Sequence, residues 1–552
     1  MIRAYPNLCF RRILFLLLFL LSGLGVESMH ANCQPNADPL QIDFDGTCRE
    51  IDPFTLQPHF TEPTEVTVAK QTTSGNSAAA VNVLFLLADD QRWDTIGAYG
   101  NERIKTPNLD RLAGESINFY NAYCFGSPHG AVCIPSRAMM HSGQNLFRLN
   151  NLNLDGHRTL GELLQAGGYR TFGTGKWHNG SASFIRSFDI GKNVMLGGMS
   201  NHAEVPLVQL NAGADTFSDT TTGSHFSSKL FADAAIDFLS QHDGVQPFFC
   251  YVAFTAPHDP RMSPGNFNRM YRPEEMEVPR NFMPQHPFDN GDLMVRDEKL
   301  AGWPRTEEVI RSQTAEYYGL ISHLDQQIGR ILETLQTSGY ADNTIVIYAS
   351  DHGLAMGSHG LLGKQNLYEH STKAPLMIRG DGIKPGQSDA LVYLHDLFPT
   401  ILELAEQPIP LANEGQSLVM FFDDDQAPGH DRQVIARDYL FTSYKDSIRA
   451  IRDGRWKLIR YPQVDRTQLF DLQNDPDEMN NLAASDDPNH RQLVADLLQQ
   501  LELEQQRYGD VQPLYVDNPA PAEIDLTGRP RQPDRWQPKW IIDKYFESDN
   551  DE

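Results

Sequence analysis

The sequence predicts an α/β fold: a large mixed, mostly parallel sheet with helices on both faces, followed by a smaller C-terminal α+β unit with an antiparallel sheet. Three observations predict it. Residues 81–88, 169–174, 248–254 and 345–349 are short, continuous apolar runs, the pattern of strands covered on both faces. Between them, residues 109–113, 159–166, 231–239 and 315–335 carry apolar side chains at helical spacing, and such alternation implies parallel pairing through crossover connections. Near residue 430 the pattern changes: residues 447–451 and 455–461 flank the turn pair Asp453-Gly454, which reads as an antiparallel hairpin.

Taken in order, the chain begins with Arg3, Arg11 and Arg12, then the apolar run 13–21, then small residues around Val26, Ser28 and Ala31. These are the parts of a secretory signal, placed at residues 1–31, and they predict export to the periplasm or the exterior; a retained N-terminal anchor is the alternative. Residues 32–80 are rich in Pro, Thr, Ser and Asn without periodicity and read as an extended leader that a Cys33–Cys48 pairing would close. The main domain is expected over 81–430, with Gly167-Gly168 stopping a helix ahead of the second strand. A second unit at 431–518 includes a helix with Leu493, Val494, Leu497, Leu498 and Leu501 on one face. From 519 to 552 the chain is rich in proline and acid, a tail expected to wrap the surface or to move. After the first 31 residues no stretch is long and apolar enough to span a membrane, so no stable span is expected.

A chain of 552 residues with 40% hydrophobic content can bury a large core. Its formal charge of -26 argues against general affinity for nucleic acid or anionic membranes, so an anionic substrate requires a locally positive pocket. Of six cysteines, Cys9 falls in the signal, leaving Cys33, Cys48, Cys124, Cys133 and Cys250. Five cannot all pair in an oxidising compartment; setting Cys133 aside leaves four that can form two bridges.

Open α/β sheets bind ligands beyond the carboxyl ends of their strands. There the four apolar runs lead into Asp89-Asp90, Gly175-Lys176-Trp177-His178, Pro257-His258 and Asp351-His352-Gly353. Singly, each has a plain reading: the Asp pair as a turn or helix cap, Lys176 as a solvated charge, His178 or His258 as a hydrogen-bonded structural residue. Together they crowd carboxylates at one edge, and these repel unless a cation neutralises them. Three carboxylates with one imidazole favour one hard or intermediate divalent cation, calcium or magnesium ahead of manganese or zinc. Cys124 and Cys133 are too far apart for a zinc-type Cys-x-x-Cys pair.

The segment Cys133-Ile134-Pro135-Ser136-Arg137, continuing to Ser142-Gly143, resembles the signature of the type I sulfatases of the alkaline phosphatase superfamily: Cys-x-Pro-Ser-Arg followed by Thr-Gly or Ser-Gly. The resemblance extends from Val81 to about Leu482 through Asp89-Asp90-Gln91-Arg92, Gly175-Lys176-Trp177-His178, Asp351-His352-Gly353, Gly363-Lys364 and Leu469-Phe470-Asp471-Leu472. It implies an alkaline phosphatase-like sandwich whose motif cysteine, Cys133, is converted to formylglycine by a separate maturation enzyme. The formylglycine hydrate would then be the nucleophile, forming a covalent sulfo-enzyme. The resemblance also implies that Asp89, Asp90, Asp351, His352 and an oxygen of modified Cys133 hold the metal, with Asp351 helping to deprotonate the attacking hydroxyl. His258 and Lys364 match positions for sulfate binding and leaving-group protonation, His178 matches the base that acts on the second hydroxyl, and Arg137 and Lys176 position the hydrate.

One departure from the commoner pattern is the longer approach His129-Gly130-Ala131-Val132 before Cys133. His129 and His141 read as structural, Asn366, Tyr368 and Glu369 as support for the Lys364 loop, and His395-Asp396 as a helix start. The expected activity is hydrolysis of sulfate monoesters, with sulfated carbohydrate as the substrate. Phosphate or phosphonate ester hydrolysis on the same scaffold is the alternative, and a non-catalytic protein binding sulfated glycans would follow if Cys133 stayed unconverted. Specificity is expected in the loops 179–224 and 261–304.

Overall fold

The four apolar runs become neighbouring strands at the centre of a ten-stranded sheet. The computed structural model describes residues 41–42, 48–49, 80–422, 437–526 and 531–546. Strands β1 (Asn82–Asp89), β2 (Arg170–Lys176), β3 (Phe248–Pro257) and β4 (Thr344–Ser350) lie in the order β2-β3-β1-β4, every pair parallel. Ile190–Met195 extends the parallel run beyond β2. Antiparallel partners close both flanks, Pro206–Leu210 on one side and Leu376–Arg379 on the other, so the sheet is mixed at its edges and parallel at its heart.

Side chains alternate across a strand, and here both faces are covered. Val83, Phe85 and Leu87 of β1 pack in one core layer with Phe249, Tyr251 and Ala253 of β3. Leu84, Leu86 and Ala88 pack in the other, against helices α3 (Ser227–Gln241) and α4 (Glu307–Thr337). Helix α4 begins eight residues before its sequence reading at 315, because the Thr306 side chain caps it through Val309 N–H and acidic Glu307 and Glu308 fill its first turn. Helix α1 (Pro107–Gly114) lies against α4.

Helix α2 (Cys133–Ser142) was not legible as a helix. Proline at its third residue is tolerated, because the first four N–H groups of a helix have no internal partner. It ends at Gly143, whose φ of 68° places it in the left-handed region used by C-caps.

The C-terminal hairpin is present as β6 (Ile448–Arg452) and β7 (Trp456–Tyr461), between β5 (Leu440–Tyr444) and β8 (Arg466–Asp471). This sheet gains a fifth strand from the main domain, Gly126–Ser127, which pairs parallel to β5 a few residues ahead of Cys133. Helix α5 (Pro488–Tyr508) covers it, with Leu497 and Leu501 packed among Ile451, Leu458 and Leu469.

Ahead of the main domain, Gln41–Ile42 pairs antiparallel with Cys48–Arg49. The secretory signal and a Cys33–Cys48 pairing fall outside the described residues. The expectation of a second bridge is corrected: Cys124 and Cys250 are both free and buried. The sheet separates them, Cys124 packing in the layer of Phe85 and Cys250 in that of Leu86. Among the described residues no helix is long and apolar enough to cross a membrane.

Candidate active site

Every strand end singled out above meets at one edge of the sheet. Asp89 closes β1, Lys176 closes β2, His258 follows β3 and Asp351 follows β4. Gly175, with φ of +87°, lets β2 approach β3: a Cβ there would lie 1.8 Å from the Ala253 carbonyl oxygen. Asp90 and His178 also take positive φ, 67° and 71°, conformations that cost energy in residues other than glycine and concentrate at functional sites.

Cys133 sits at the first position of α2, where the positive end of the helix favours negative charge. Its Sγ lies 3.4 Å from Lys176 Nζ and 3.4 Å from His178 Nδ1. Burial would push the Cys133 thiol up, but Lys176 and His178 hold it well below its ordinary range. Lys176 Nζ in turn bonds Asp89 Oδ2 at 2.5 Å. Arg137, one turn along α2, is fully buried; its Nε donates to Asp351 Oδ2 at 3.0 Å and its Nη1 to the Lys176 carbonyl at 2.7 Å.

A metal site is legible in this geometry. Ligand atoms of Asp89, Cys133, Asp351 and His352 all lie within 4.8 Å of one another, and all four residues are buried. Asp90 falls in an adjoining group with His258 and Asp259. Its Oδ1 is nonetheless 3.3 Å from His352 Nε2, while Lys364 Nζ bonds both its oxygens at 2.8 and 2.9 Å. The fit to a cation rests on atoms left without partners: Asp89 Oδ1 and His352 Nε2 are buried and make no hydrogen bond. His352 Nδ1 lies 2.9 Å from the Gly353 carbonyl, which only accepts, so Nδ1 carries the proton and Nε2 faces the carboxylates. Burial lowers the His352 pKa, but Asp351 and then Asp90 outweigh it and raise it to about 9, a sign of how strongly this spot favours positive charge.

Above this floor opens a cavity of about 800 Å³ lined by Cys133, His178, His258 and Lys364. His258 Nδ1 is held by the Asp259 carbonyl at 2.8 Å, leaving Nε2 3.7 Å from Asp90 Oδ2. Burial would lower the Lys364 ammonium, but Asp90 and Asp297 keep it protonated far beyond its ordinary range. The structure therefore brings together all ten residues named from the sequence. His141 is buried with its ring centroid 4.6 Å from that of Trp177, and burial pushes its pKa down to about 3. His129 accepts from Ala131 N–H and does not line the cavity.

Sequence reasoning anticipated the loops that supply Gly197, Gly198, Met199, Val295, Arg296 and Asp297 to the cavity wall, but missed other contributors. Gln365 and Asp297 meet beside Lys364, the Gln365 amide donating to Asp297 at 2.7 Å. Lys445 arrives from the turn after β5, and Arg535 and Trp536 from the tail. For Gln365 the adjacent Gly363-Lys364 motif was a usable signal; Lys445, Arg535 and Trp536 carry none, since only the packing of distant segments brings them here.

Comparison with known proteins agrees with this geometry. Residues 81–407 match the sulfatase family model, and residues 357–507 match that of the N-sulphoglucosamine sulphohydrolase C-terminal region. The chain is 28% identical to an arylsulfatase of Clostridium perfringens, over 80% of this chain and 98% of the relative. It is also 28% identical to an N-acetylglucosamine-6-O-sulfatase of Bacteroides thetaiotaomicron, over 78% of this chain and 87% of the relative. Among solved structures, a protein in complex with its substrate D-glucosamine-2-N,6-O-disulfate superposes with a TM-score of 0.65, at 23% identity, over 79% of this chain and 99% of that one. With the family model matched across 81–407 of 552 residues, the protein belongs to the sulfatase family of the alkaline phosphatase superfamily and is a sulfuric ester hydrolase.

Proposed function

We propose that the protein hydrolyses sulfate monoesters of sulfated carbohydrates, using a formylglycine hydrate at position 133 and one divalent cation, calcium or else magnesium. The observation that carries this reading is the buried group of Asp89, Cys133, Asp351 and His352 at the base of a cavity lined by His178, His258 and Lys364. Cys133 Sγ stands where an oxygen of the modified residue would lie. Asp89, Asp90, Asp351 and His352 would hold the cation, which when bound offsets charge on the sulfate oxygens. A hydrated aldehyde supplies one hydroxyl to attack sulfur and a second through which sulfate is expelled, a route that a serine in this position lacks.

The chain's own residues do the rest. Asp351, held by Arg137, accepts the proton of the attacking hydroxyl. Lys364 and His258 face the cavity beside Asp90 and bind the sulfate oxygens, and one of them protonates the departing alcohol as the sulfur–oxygen bond breaks. His178, 3.4 Å from Cys133 Sγ, takes the proton of the second hydroxyl when sulfate leaves and the aldehyde is restored. Export is part of the same reading, supported by Arg3, Arg11, Arg12 and the apolar run that follows them. So is dependence on a maturation enzyme, since conversion of Cys133 needs a catalyst other than this chain.

The carbohydrate assignment draws on the N-acetylglucosamine-6-O-sulfatase relative and on the C-terminal match. Matched p-nitrophenyl sulfate and phosphate, followed by a panel of sulfated saccharides assayed for released sulfate, test it. Higher kcat/KM on the sulfate and release from at least one saccharide are expected. A large preference for the phosphate overturns the reading in favour of a phosphate ester hydrolase.

A further inference from the structure

The tail beyond residue 507 lies outside both family matches, yet it reaches the mouth of the cavity that opens on Cys133. It is fastened there. Asp534 accepts from Arg296 at 3.1 Å, and Gln537 donates to Asp259 Oδ2 at 2.8 Å, beside His258. The Asp534 side chain also accepts from Trp536 N–H at 2.9 Å, which fixes the turn between them. Farther on, helix α6 (Lys539–Tyr545) docks on α4 through Tyr545 with Ser312 at 3.0 Å and Lys544 with Glu316 at 2.6 Å. Two anchored stretches thus hold residues 535 and 536 on the rim.

The charges on that rim are unequal in what they leave free. Arg296 is neutralised by Asp259, Asp297 and Asp534, and Lys445 by Asp292 at 2.7 Å. Arg535 has no carboxylate partner among the described residues; its guanidinium lies over the Trp536 ring, 4.4 Å from the centroid, and it is exposed. A planar cation stacked on indole is oriented at little cost in side-chain entropy and still presents its N–H fork to an anion. Trp536, half-buried at the cavity wall, offers apolar ring surface beside it.

We propose that residues 534–537 form a second substrate subsite. In it Arg535 pairs with a further anionic group, a sulfate or a carboxylate, carried by the saccharide being desulfated, and Trp536 orients Arg535 and packs on the sugar. The subsite selects multiply charged saccharides over singly charged ones in a protein whose overall charge of -26 would otherwise repel them. The inference rests on the sulfate ester hydrolysis proposed above.

The test is inhibition of p-nitrophenyl sulfate hydrolysis by heparin, chondroitin sulfate and carrageenan tetrasaccharides and by glucosamine 6-sulfate, for the wild type, Arg535→Ala, Arg535→Lys and Trp536→Ala. For at least one tetrasaccharide, the ratio of its inhibition constant to the KM for p-nitrophenyl sulfate should rise about tenfold in Arg535→Ala. The ratio should recover partly in Arg535→Lys, rise also in Trp536→Ala, and lose most of its dependence on salt in Arg535→Ala. The same ratio for glucosamine 6-sulfate should move far less. Ratios that stay constant in all variants, a rise as large for glucosamine 6-sulfate, or a wild type that no tetrasaccharide inhibits each overturn the subsite. A wild type that releases sulfate from neither p-nitrophenyl sulfate nor any saccharide would instead overturn the hydrolase reading on which it rests; one that releases it only from a saccharide has the same ratios read against that saccharide's KM.

Discussion

Arg137 ties three functional segments together from a single side chain. Its fork donates to Asp351 and to the Lys176 carbonyl and brings Nη2 to 3.7 Å from Asp89 Oδ1, so two proposed metal ligands and the lysine beside Cys133 share one scaffold. A lysine cannot span these partners, because its ammonium is a point donor on a flexible stem. Arg137→Lys is therefore expected to lower kcat about 100-fold or more through loss of positioning. Burying an ammonium that cannot replace the bonds of Nε and Nη1 also costs stability, so a lower Tm is expected with it. Steady-state kinetics alongside thermal unfolding check both effects; near-wild-type kcat in Arg137→Lys would show that the fork does not organise the site. At this scale much was readable in advance, because the motif around Cys133 and the residues after each apolar run name their chemistry. The pairing of Lys364 with Asp90 was not, since 274 positions separate them and nothing in either neighbourhood signals the contact.

Among the elements, α1 and α4 meet through a carboxylate. Asp325 of α4 accepts from the backbone N–H groups of Asn108 and Leu109, at 3.1 and 2.7 Å, so it caps the start of α1 from another helix. Burial nevertheless dominates and pushes Asp325 up to about 6, against the opposing pull of these bonds. Below pH 3.8 folded and unfolded chains both hold this proton. As the pH rises towards 6 the unfolded chain releases it first, so the stability this group contributes falls with rising pH. With a folded pKa of about 6 against 3.8 unfolded, the change amounts to about 3 kcal/mol, an order-of-magnitude figure. In Asp325→Asn that titration is gone, so the variant should gain stability relative to the wild type between pH 4 and 7. Denaturant unfolding of both proteins across this range checks it, and parallel curves would contradict it. The four central strands were legible because strands buried on both faces read as unbroken apolar runs. Helix α2 was not: Pro135, Ser136, Arg137, His141 and Ser142 are buried by the site and the aromatic layer around them, which no helical stripe of apolar residues announces.

At the scale of the whole molecule, the cavity is assembled from three regions distant in sequence: the strand ends of the main sheet with the loops that follow them, the turn carrying Lys445, and the returning tail with Arg535 and Trp536. The first was predictable, since parallel sheets concentrate chemistry at one edge. The other two depend on where the small sheet and α6 dock, a property of tertiary packing with no local signature. What the assembly is proposed to achieve is a buried residue 133, oxidised and adjoining a cation. The most direct measurement is the mass of the peptide containing residue 133, taken on the same preparations whose sulfate release is assayed before and after chelation of divalent metal. The account predicts that turnover rises in proportion to the aldehyde form of Cys133, falls on chelation, and returns with calcium or magnesium. Full turnover by protein whose Cys133 is an intact thiol, or an aldehyde-bearing, metal-replete protein that releases no sulfate from any ester, would contradict it.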